Sequence, residues 1–496
     1  MIIESNLPAL VVVVPLLSAV LIVAIGVFYN KIVVALFQFA SFVTAYLGLK
    51  LLFLVYENGP VRYFFGNWAP PVGIEYYADY LNTLFVCILS TVLFIMSIYF
   101  PKSVNREIPE NKHFAFYGVT MLFMAGLLGI TITGDLFNIY VFTEISSITA
   151  YALIAIGGKR RSYRASFNYL ILGTIGASFL VLGIGYLYMA TGTLNLLDMQ
   201  ERLVSMYNSK VVVVGAAFIV VGLSMKMALF PLHVWLPGAY TYSPSSISAL
   251  MAATSTKVMA YLLIRFLYTV FTPNFDVSMI PILDILFYIS LIAILAGSFL
   301  ALGQKDLKMM FAYSSIGQIG YIVFGATMLN SSGLVGSMYH FLSHAVVKGG
   351  LFLVAGVIIY FLYTSKINDL DGLFKKLPFT SLAFLVFALS MIGIPVTSGF
   401  ISKWYLVLGA INSHKWLGVV VILLSSLLTT IYFWRIVDKI FFKASSDKNI
   451  QKISEPLSMI IPIYILVGVT IYFGLFPKDL SLFCNKAAML LLETIK

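Results

Sequence analysis

Residues 223–265 read LSMKMALFPLHVWLPGAYTYSPSSISALMAATSTKVMAYLLIR. The stretch is apolar enough to lie in a bilayer, yet it carries Lys226, His233 and Lys257, and Pro231, Pro237 and Pro244 interrupt whatever helices it forms. An ammonium at the centre of a bilayer costs about 2.5 to 3.5 kcal/mol on insertion scales, so two of them in adjacent apolar segments call for a polar interior. Proline cannot donate a backbone hydrogen bond, so a helix loosens before Pro231 and leaves carbonyls that need water or side chains. A broken helix beside a charge is a recurrent device of transporters. The stretch predicts a membrane protein that moves charge.

Working outward, the whole chain has the same character. Of its 496 residues 60% are hydrophobic and only 10% charged, and mean hydropathy is +0.98, whereas soluble domains are roughly 25% charged. With about 20 apolar residues needed per span, about fourteen segments qualify, which predicts an all-α integral membrane protein. They cover residues 7–27, 31–54, 78–100, 114–133, 136–156, 165–191, 211–236, 244–271, 280–302, 308–329, 333–363, 378–411, 416–442 and 456–476. The first apolar run follows Glu4 with no basic region before it, so it reads as a retained helix and not a cleaved signal peptide.

Several function classes are excluded by what the chain lacks. Cys87 and Cys484 are its only cysteines, too few for a disulfide framework, an iron–sulfur cluster or a cysteine zinc site. Gly158-Lys159 lacks the rest of a Walker A pattern. No cofactor is expected, and energy for work would come from elsewhere. The net charge of +11 does not point to nucleic acid, because its distribution follows the membrane. With the N-terminus outside, the inner loops carry Lys31, Lys102, Arg106, Lys112, Lys159, Arg160, Arg161, Arg164, Lys305, Lys308, Lys366, Lys375, Lys376, Arg435, Lys439, Lys443, Lys448 and Lys452. The outer loops and tail carry only Arg62, Arg202, Lys210, Lys415, Lys478, Lys486 and Lys496. This bias supports an even number of spans and external termini.

Charges inside the spans are the candidates for function. Lys50 lies near the outer end of its helix and can snorkel to the interface. Asp135 starts a helix, where a carboxylate caps and complements the dipole. Glu144 lies about nine residues deeper, near the midplane at 1.5 Å per residue, with Lys226 as an available partner. His233 reads equally as a packed histidine. Lys257 ends the hydroxyl-rich SPSSISALMAATSTK, whose hydroxyls can support a water chain. LSMKMALFP, ending at Pro231, is echoed by LSMIGIP, ending at Pro395, and Lys403 lies near the second break. Between them His340, His344 and Lys348 are spaced i, i+4, i+8 on one helix face. Two histidines could bind zinc, but there is no intervening Glu and no carboxylate close by in sequence, so no metal site is expected. Histidine can hold or pass a proton near neutral pH. Unpaired at the bilayer centre, Glu144, Lys226, Lys257, Lys348 and Lys403 would cost on the order of 12 to 17 kcal/mol, so they must face each other or water. An ion-translocating subunit, a membrane metalloenzyme built on the histidine pair, and a stand-alone carrier of small organic ions all remain open at this level.

Longer motifs narrow the choice. GDLFNIYVFTEISS, KMALFPLHVWLPGAY with the following SPSSISALMAATSTKVMAYLLIR, DLKMMFAYSSIGQIGY, HFLSHAVVKGG and GIPVTSGFISKW occur in this order. Over residues 110–440 the chain resembles the proton-translocating, antiporter-like subunits shared by respiratory complex I, Mrp cation/proton antiporters and membrane-bound hydrogenases. The resemblance implies fourteen helices with two inverted five-helix repeats, each containing a broken helix. It implies boundaries at 1–110 for three N-terminal helices, 111–275 and 276–443 for the repeats, and 444–496 for a last helix and tail. It assigns Glu144 and Lys226 as a paired acid and base, Lys257 as a bridging lysine, His340, His344 and Lys348 as a middle relay and Lys403 as the terminal lysine; Asp135 and His233 are accessory. One complex I member has Glu at the terminal position, so Lys403 favours the others. Length favours the D-type Mrp subunit or its counterpart in a membrane-bound hydrogenase or ferredoxin-dependent complex, with a complex I proton-pumping subunit as the alternative. Ser243 and Met259 stand where Ala and Gly are common. Partners implied are other membrane subunits, protons, sodium as a further candidate ion, and the lipid of a prokaryotic plasma membrane, with no nucleic acid.

Overall fold

The computed structural model describes residues 5–273, 275, 281–444 and 453–493. Lys448, Lys452 and Lys496 of the charge count lie outside the described residues. The apolar runs form helices: α1 (Leu7–Gly26), α2 (Val33–Asn58), α3 (Tyr80–Glu107), α4 (His113–Ile132), α5 (Leu136–Ala155), α6 (Arg160–Thr191), α7 (Leu196–Leu203), α8 (Lys210–Lys226) and α9 (Trp235–Tyr242). There follow α10 (Ser245–Ala253), α11 (Ser255–Arg265), α12 (Ile282–Leu302), α13 (Leu307–Ala326), α14 (Ser331–Leu362), α15 (Pro378–Ile392), α16 (Ser398–Asn412), α17 (Trp416–Val437), α18 (Leu457–Leu475) and α19 (Lys478–Glu493). Among the described residues 12 helices are long and apolar enough to cross a membrane. This is a multi-pass membrane protein.

Side chains without long reach fix where helices begin. Asp79 and Asn82 form a reciprocal capping box on α3. Asp135, Asp306 and Asn330 accept backbone N–H bonds at 2.7, 3.0 and 2.8 Å at the starts of α5, α13 and α14. Close helix crossings use glycine. A Cβ added to Gly222 would sit 2.7 Å from the Gly176 carbonyl oxygen where α8 crosses α6, so backbones meet there as they do in small-residue membrane contacts. Gly222→Leu is expected to destabilise this crossing by about 1 to 3 kcal/mol, read as a lower unfolding temperature of the detergent-solubilised protein.

Two parts of the chain follow one plan. α5 and α13 each have 20 residues, and α6 and α14 each have 32. Before each pair an aspartate forms an isolated bridge to the segment after the long helix, Asp135 with Asn195 and Asp306 with Lys366. Flanking bonds match as well: Leu136 N to Leu194 O at 2.8 Å and Leu307 N to Ser365 O at 2.7 Å.

Helices break at three places among the described residues. Met227–Val234 separate α8 from α9, with Ala228 at φ 58°. Gly393, at φ 91°, ends α15, and Val396, at φ 79°, precedes α16. Both breaks accompany the prolines that predicted them. The third, at Thr254 between α10 and α11, interrupts a segment expected to be a single helix over 244–271. Two further expectations change. Residues 56–77, whose aromatics, glycines and prolines read in sequence as a long external loop, instead contribute to an antiparallel hairpin of Val61–Phe64 paired with Glu75–Ala78. The tail forms the amphipathic α19, which buries Leu480, Phe483, Cys484 and Leu491.

Candidate functional site

The breaks put lysines at the carboxyl ends of half-helices. Lys226 is the last residue of α8. Its Nζ donates to Ser147 Oγ at 2.7 Å and lies 3.6 Å from Glu144 Oε1. Glu144 and Ser147 are three residues apart on α5 and so share a face. Lys257, fully buried, donates to the Ala252 carbonyl in the last turn of α10. Lys403 donates to the Met391 and Ile392 carbonyls, 3.0 and 2.9 Å, at the end of α15, and to Ser426 Oγ at 3.0 Å. A helix carboxyl end carries about half a negative charge and carbonyls with no partner in the helix, so it replaces part of the water an ammonium loses on burial. Breaking the helix is what brings that end to the middle of the protein.

Between Lys257 and Lys403 runs α14. Lys348 donates to the Phe311 carbonyl at 2.8 Å and to Ser314 Oγ. The rings of His340 and His344 lie 5.9 Å apart. His340 Nδ1 meets Ser402 Oγ at 3.0 Å, one residue before Lys403, and Tyr321 stands 5.3 Å from the His340 ring and 5.4 Å from Lys403 Nζ. The structure thus pairs Glu144 with Lys226, bonds His340 to Ser402 beside Lys403, and stacks His344 5.9 Å from His340 without a hydrogen bond between them. Among the described residues no hydrogen bond joins Lys257 to either group.

Several buried polar atoms along this line have no hydrogen-bond partner. They include Glu144 Oε1, the hydroxyl of Thr143, Nε2 of His340 and both ring nitrogens of His344, all buried. The two histidines bring no third ligand: among the described residues no group of three His, Cys, Asp or Glu could hold a metal ion.

The accessory residues sit elsewhere. Asp135 caps α5 at 2.7 Å from the Asn138 amide, and burial raises its carboxyl above its ordinary value against the backbone bonds that lower it. His233 lies within the first break, stacked on Phe230 with ring centroids 5.1 Å apart. Sequence reasoning missed the hydroxyl partners Ser147, Ser314, Ser402 and Ser426. Helical spacing from Glu144 could have found Ser147, and adjacency to Lys403 could have flagged Ser402; the other two come from helices remote in sequence.

A nearly all-helical membrane bundle whose buried lysines and histidines line up with a partly exposed glutamate is the architecture of an ion-handling membrane protein. The chain belongs to the NADH:quinone oxidoreductase/Mrp antiporter transmembrane family, whose model matches residues 133–429. The N-type subunit of the NADH-quinone oxidoreductase of Desulforudis audaxviator is 42% identical to it, covering 96% of this chain and 97% of that protein. The D-type subunit of the Na+/H+ antiporter of Alkalihalophilus pseudofirmus is 32% identical, covering 85% and 84%. A chain of the membrane-bound sulfane sulfur reductase, an archaeal respiratory membrane complex, superposes with a TM-score of 0.91 at 29% identity, covering 99% and 98%. Both types expected from the motifs, the antiporter type and the complex I type, are represented among these relatives.

Proposed function

We propose that the protein is a proton-translocating subunit of a multisubunit membrane complex, in which protons pass along Glu144, Lys226, Lys257, His344, Lys348, His340 and Lys403. The observation that carries this reading is that buried ionisable side chains and buried polar atoms without a hydrogen-bond partner lie along the same line. A buried polar group left unbonded costs about 1 to 3 kcal/mol, so the unbonded groups here call for water. Water between ionisable groups closes the stretches from Lys226 to Lys257 and from Lys257 to His344. Lysine can give up its proton when neighbouring charge moves, and the Glu144–Lys226 pair is the charge that moves.

Two further broken segments, α8 with α9 and α15 with α16, add to the 12 spans, one of which is itself interrupted at Thr254, to give the fourteen implied by the family resemblance. The shared plan of α5–α6 and α13–α14 supports the two-repeat division at 111–275 and 276–443. Alternating the spans puts both termini outside and Lys159, Arg160, Arg161 and Arg164 inside. Relatives named as antiporter and oxidoreductase subunits support a setting among other membrane subunits, and the D-type Mrp subunit remains our main reading with the complex I type as the alternative.

Glu144→Gln tests the reading. It keeps the shape and removes the charge that Lys226 faces. Proton-coupled transport by the assembled complex in vesicles should fall by about a hundredfold. A wild-type rate in the assembled variant would count decisively against the relay.

A further inference from the structure

Lys226 has a carboxylate of its own in Glu144, and Lys403 has none. Its ammonium uses all three of its donors on the Met391 and Ile392 carbonyls and Ser426 Oγ, and among the described residues no acid lies within ion-pair distance of it. The titratable groups that face it are His340 of α14, through Ser402, and Tyr321 of α13. α15 and α18 carry no charged residue, and Arg435, the only one on α17, bonds the Leu302 carbonyl at the end of α12 at 2.8 Å. A buried ammonium resting on neutral partners alone is costly.

The missing negative charge stands at the other end of α15. Pro378 opens this helix and has no amide hydrogen, so Phe379 and Thr380 hold its first free donors. Glu455, in the connection between α17 and α18, takes both. Its Oε1 accepts the Phe379 amide at 2.9 Å and its Oε2 the Thr380 amide at 3.0 Å, and the Thr380 hydroxyl donates to the same oxygen. Two further bonds fix that end, Ile453 N to Lys376 O at 3.0 Å and Tyr464 Oη to Phe379 O at 3.1 Å. α15 thus lies between a carboxylate at its amino end and an ammonium at its carboxyl end, the sense its dipole favours. α10 repeats the arrangement: Glu107 accepts the Ser245 amide at 3.0 and 3.1 Å, and Lys257 docks on the last turn. α8 does not, for Lys226 meets Glu144 directly and the first turn of α8 holds no acid. Remote carboxylates accompany the two docked lysines that lack a near one.

We propose that Glu455 is a positioning residue for Lys403: it holds the amino end of α15 so that the Met391 and Ile392 carbonyls meet the ammonium, and it supplies, through the length of the helix, a negative charge that favours the ammonium form. The inference rests on the relay reading of Lys403 and adds a residue that tunes it from the far end of another helix. The 15 residues of α15 make it about 22 Å long. At that separation and an effective dielectric constant of about 20, removing one charge moves a titration by about half a pH unit.

The test is the pH profile of proton-coupled transport by the whole complex in proteoliposomes. Glu455→Gln keeps the shape and removes the charge. Without the carboxylate the ammonium gives up its proton at lower pH, so the alkaline limb of the profile should move down by about half a pH unit. Adding Phe379→Glu, at a side chain 49% exposed in the first turn of α15, returns a charge to that end and should bring the limb back. A purely structural clamp gives a different result: the rate falls by one factor at every pH, and Phe379→Glu restores nothing. An assembled Glu455→Gln complex whose limb stays in place, or moves and is not restored, overturns the inference. Should Glu455→Gln not assemble, Phe379→Glu alone decides: the added charge should move the limb up, and an unmoved limb overturns the inference. Lys403→Met separates the two readings. It should stop transport, and transport that survives it overturns the relay at Lys403, whereas an unmoved limb in Glu455→Gln overturns only the role of Glu455.

Discussion

Lys226→Ala is expected to lower proton-coupled transport by the native complex at least about a hundredfold, the scale on which a positioned acid–base group contributes, while the complex still assembles. The side chain ends in two polar contacts, 2.7 Å to Ser147 and 3.6 Å to Glu144, and its removal strips Glu144 of its only counter-charge among the described residues. Assembly survives because Glu144 keeps an exit: its side chain is 28% exposed, unlike the fully enclosed groups further along. The sharper variant is Lys226→Arg. A guanidinium preserves the charge and can still pair with Glu144, so a purely structural role predicts normal transport. A relay predicts failure, because arginine does not release its proton at any pH the protein survives. Transport rates in proteoliposomes, with the stoichiometry of the complex checked on the same preparation, separate the two.

How much of this could be read in residues alone depended on the range of the interaction. The breaks at Pro231 and Pro395 were legible because proline acts on its own backbone. The break at Thr254 was not: Thr254 returns its hydroxyl to the Leu250 carbonyl at 2.7 Å, a local bond many unbroken helices also make. The line of charges was legible because burying an ion in an apolar run is costly wherever its partner lies. What the ions touch was mostly illegible, since Lys348 finds Ser314 and Lys403 finds Ser426 across helices that only the fold brings together. The burial of Lys308, counted as a loop charge, was illegible for a related reason: at the start of α13 it is 3% exposed and its Nζ donates to the Ser243 carbonyl at 2.8 Å. One charge at the first turn of an apolar helix looks the same in sequence whether it meets solvent or an elbow from another helix. The hairpin at 61–78 was hidden in a segment whose glycines, prolines and aromatics fit a loop equally well.

The largest effect on stability is expected at a pair outside the line of transport. Asp79 and Arg265 are 186 residues apart in the chain and meet in two charge-assisted bonds, Nη1 to Oδ2 at 2.7 Å and Nη2 to Oδ1 at 2.9 Å, with side chains 1% and 4% exposed. The same carboxylate caps α3 by accepting the Asn82 amide at 2.9 Å, and Arg265 also reaches Tyr261, whose hydroxyl donates to the Thr131 carbonyl at 2.8 Å. One ion pair thus fastens α11, two turns beyond Lys257, to α3 and indirectly to α4. Asp79→Ala should destabilise the protein by about 3 to 5 kcal/mol, because it leaves an uncompensated buried guanidinium and removes a helix cap worth about 1 kcal/mol more. The measurement is the unfolding temperature of the solubilised complex, or its yield in the membrane where the variant is too weak to purify. Asp79→Asn with Arg265→Met is the discriminating double variant: it keeps a capping side chain and removes both charges. If the penalty comes from the stranded charge, the double variant recovers most of the loss. A double variant as unstable as Asp79→Ala would show that shape at the α3–α11 contact, and not charge, holds the two helices together.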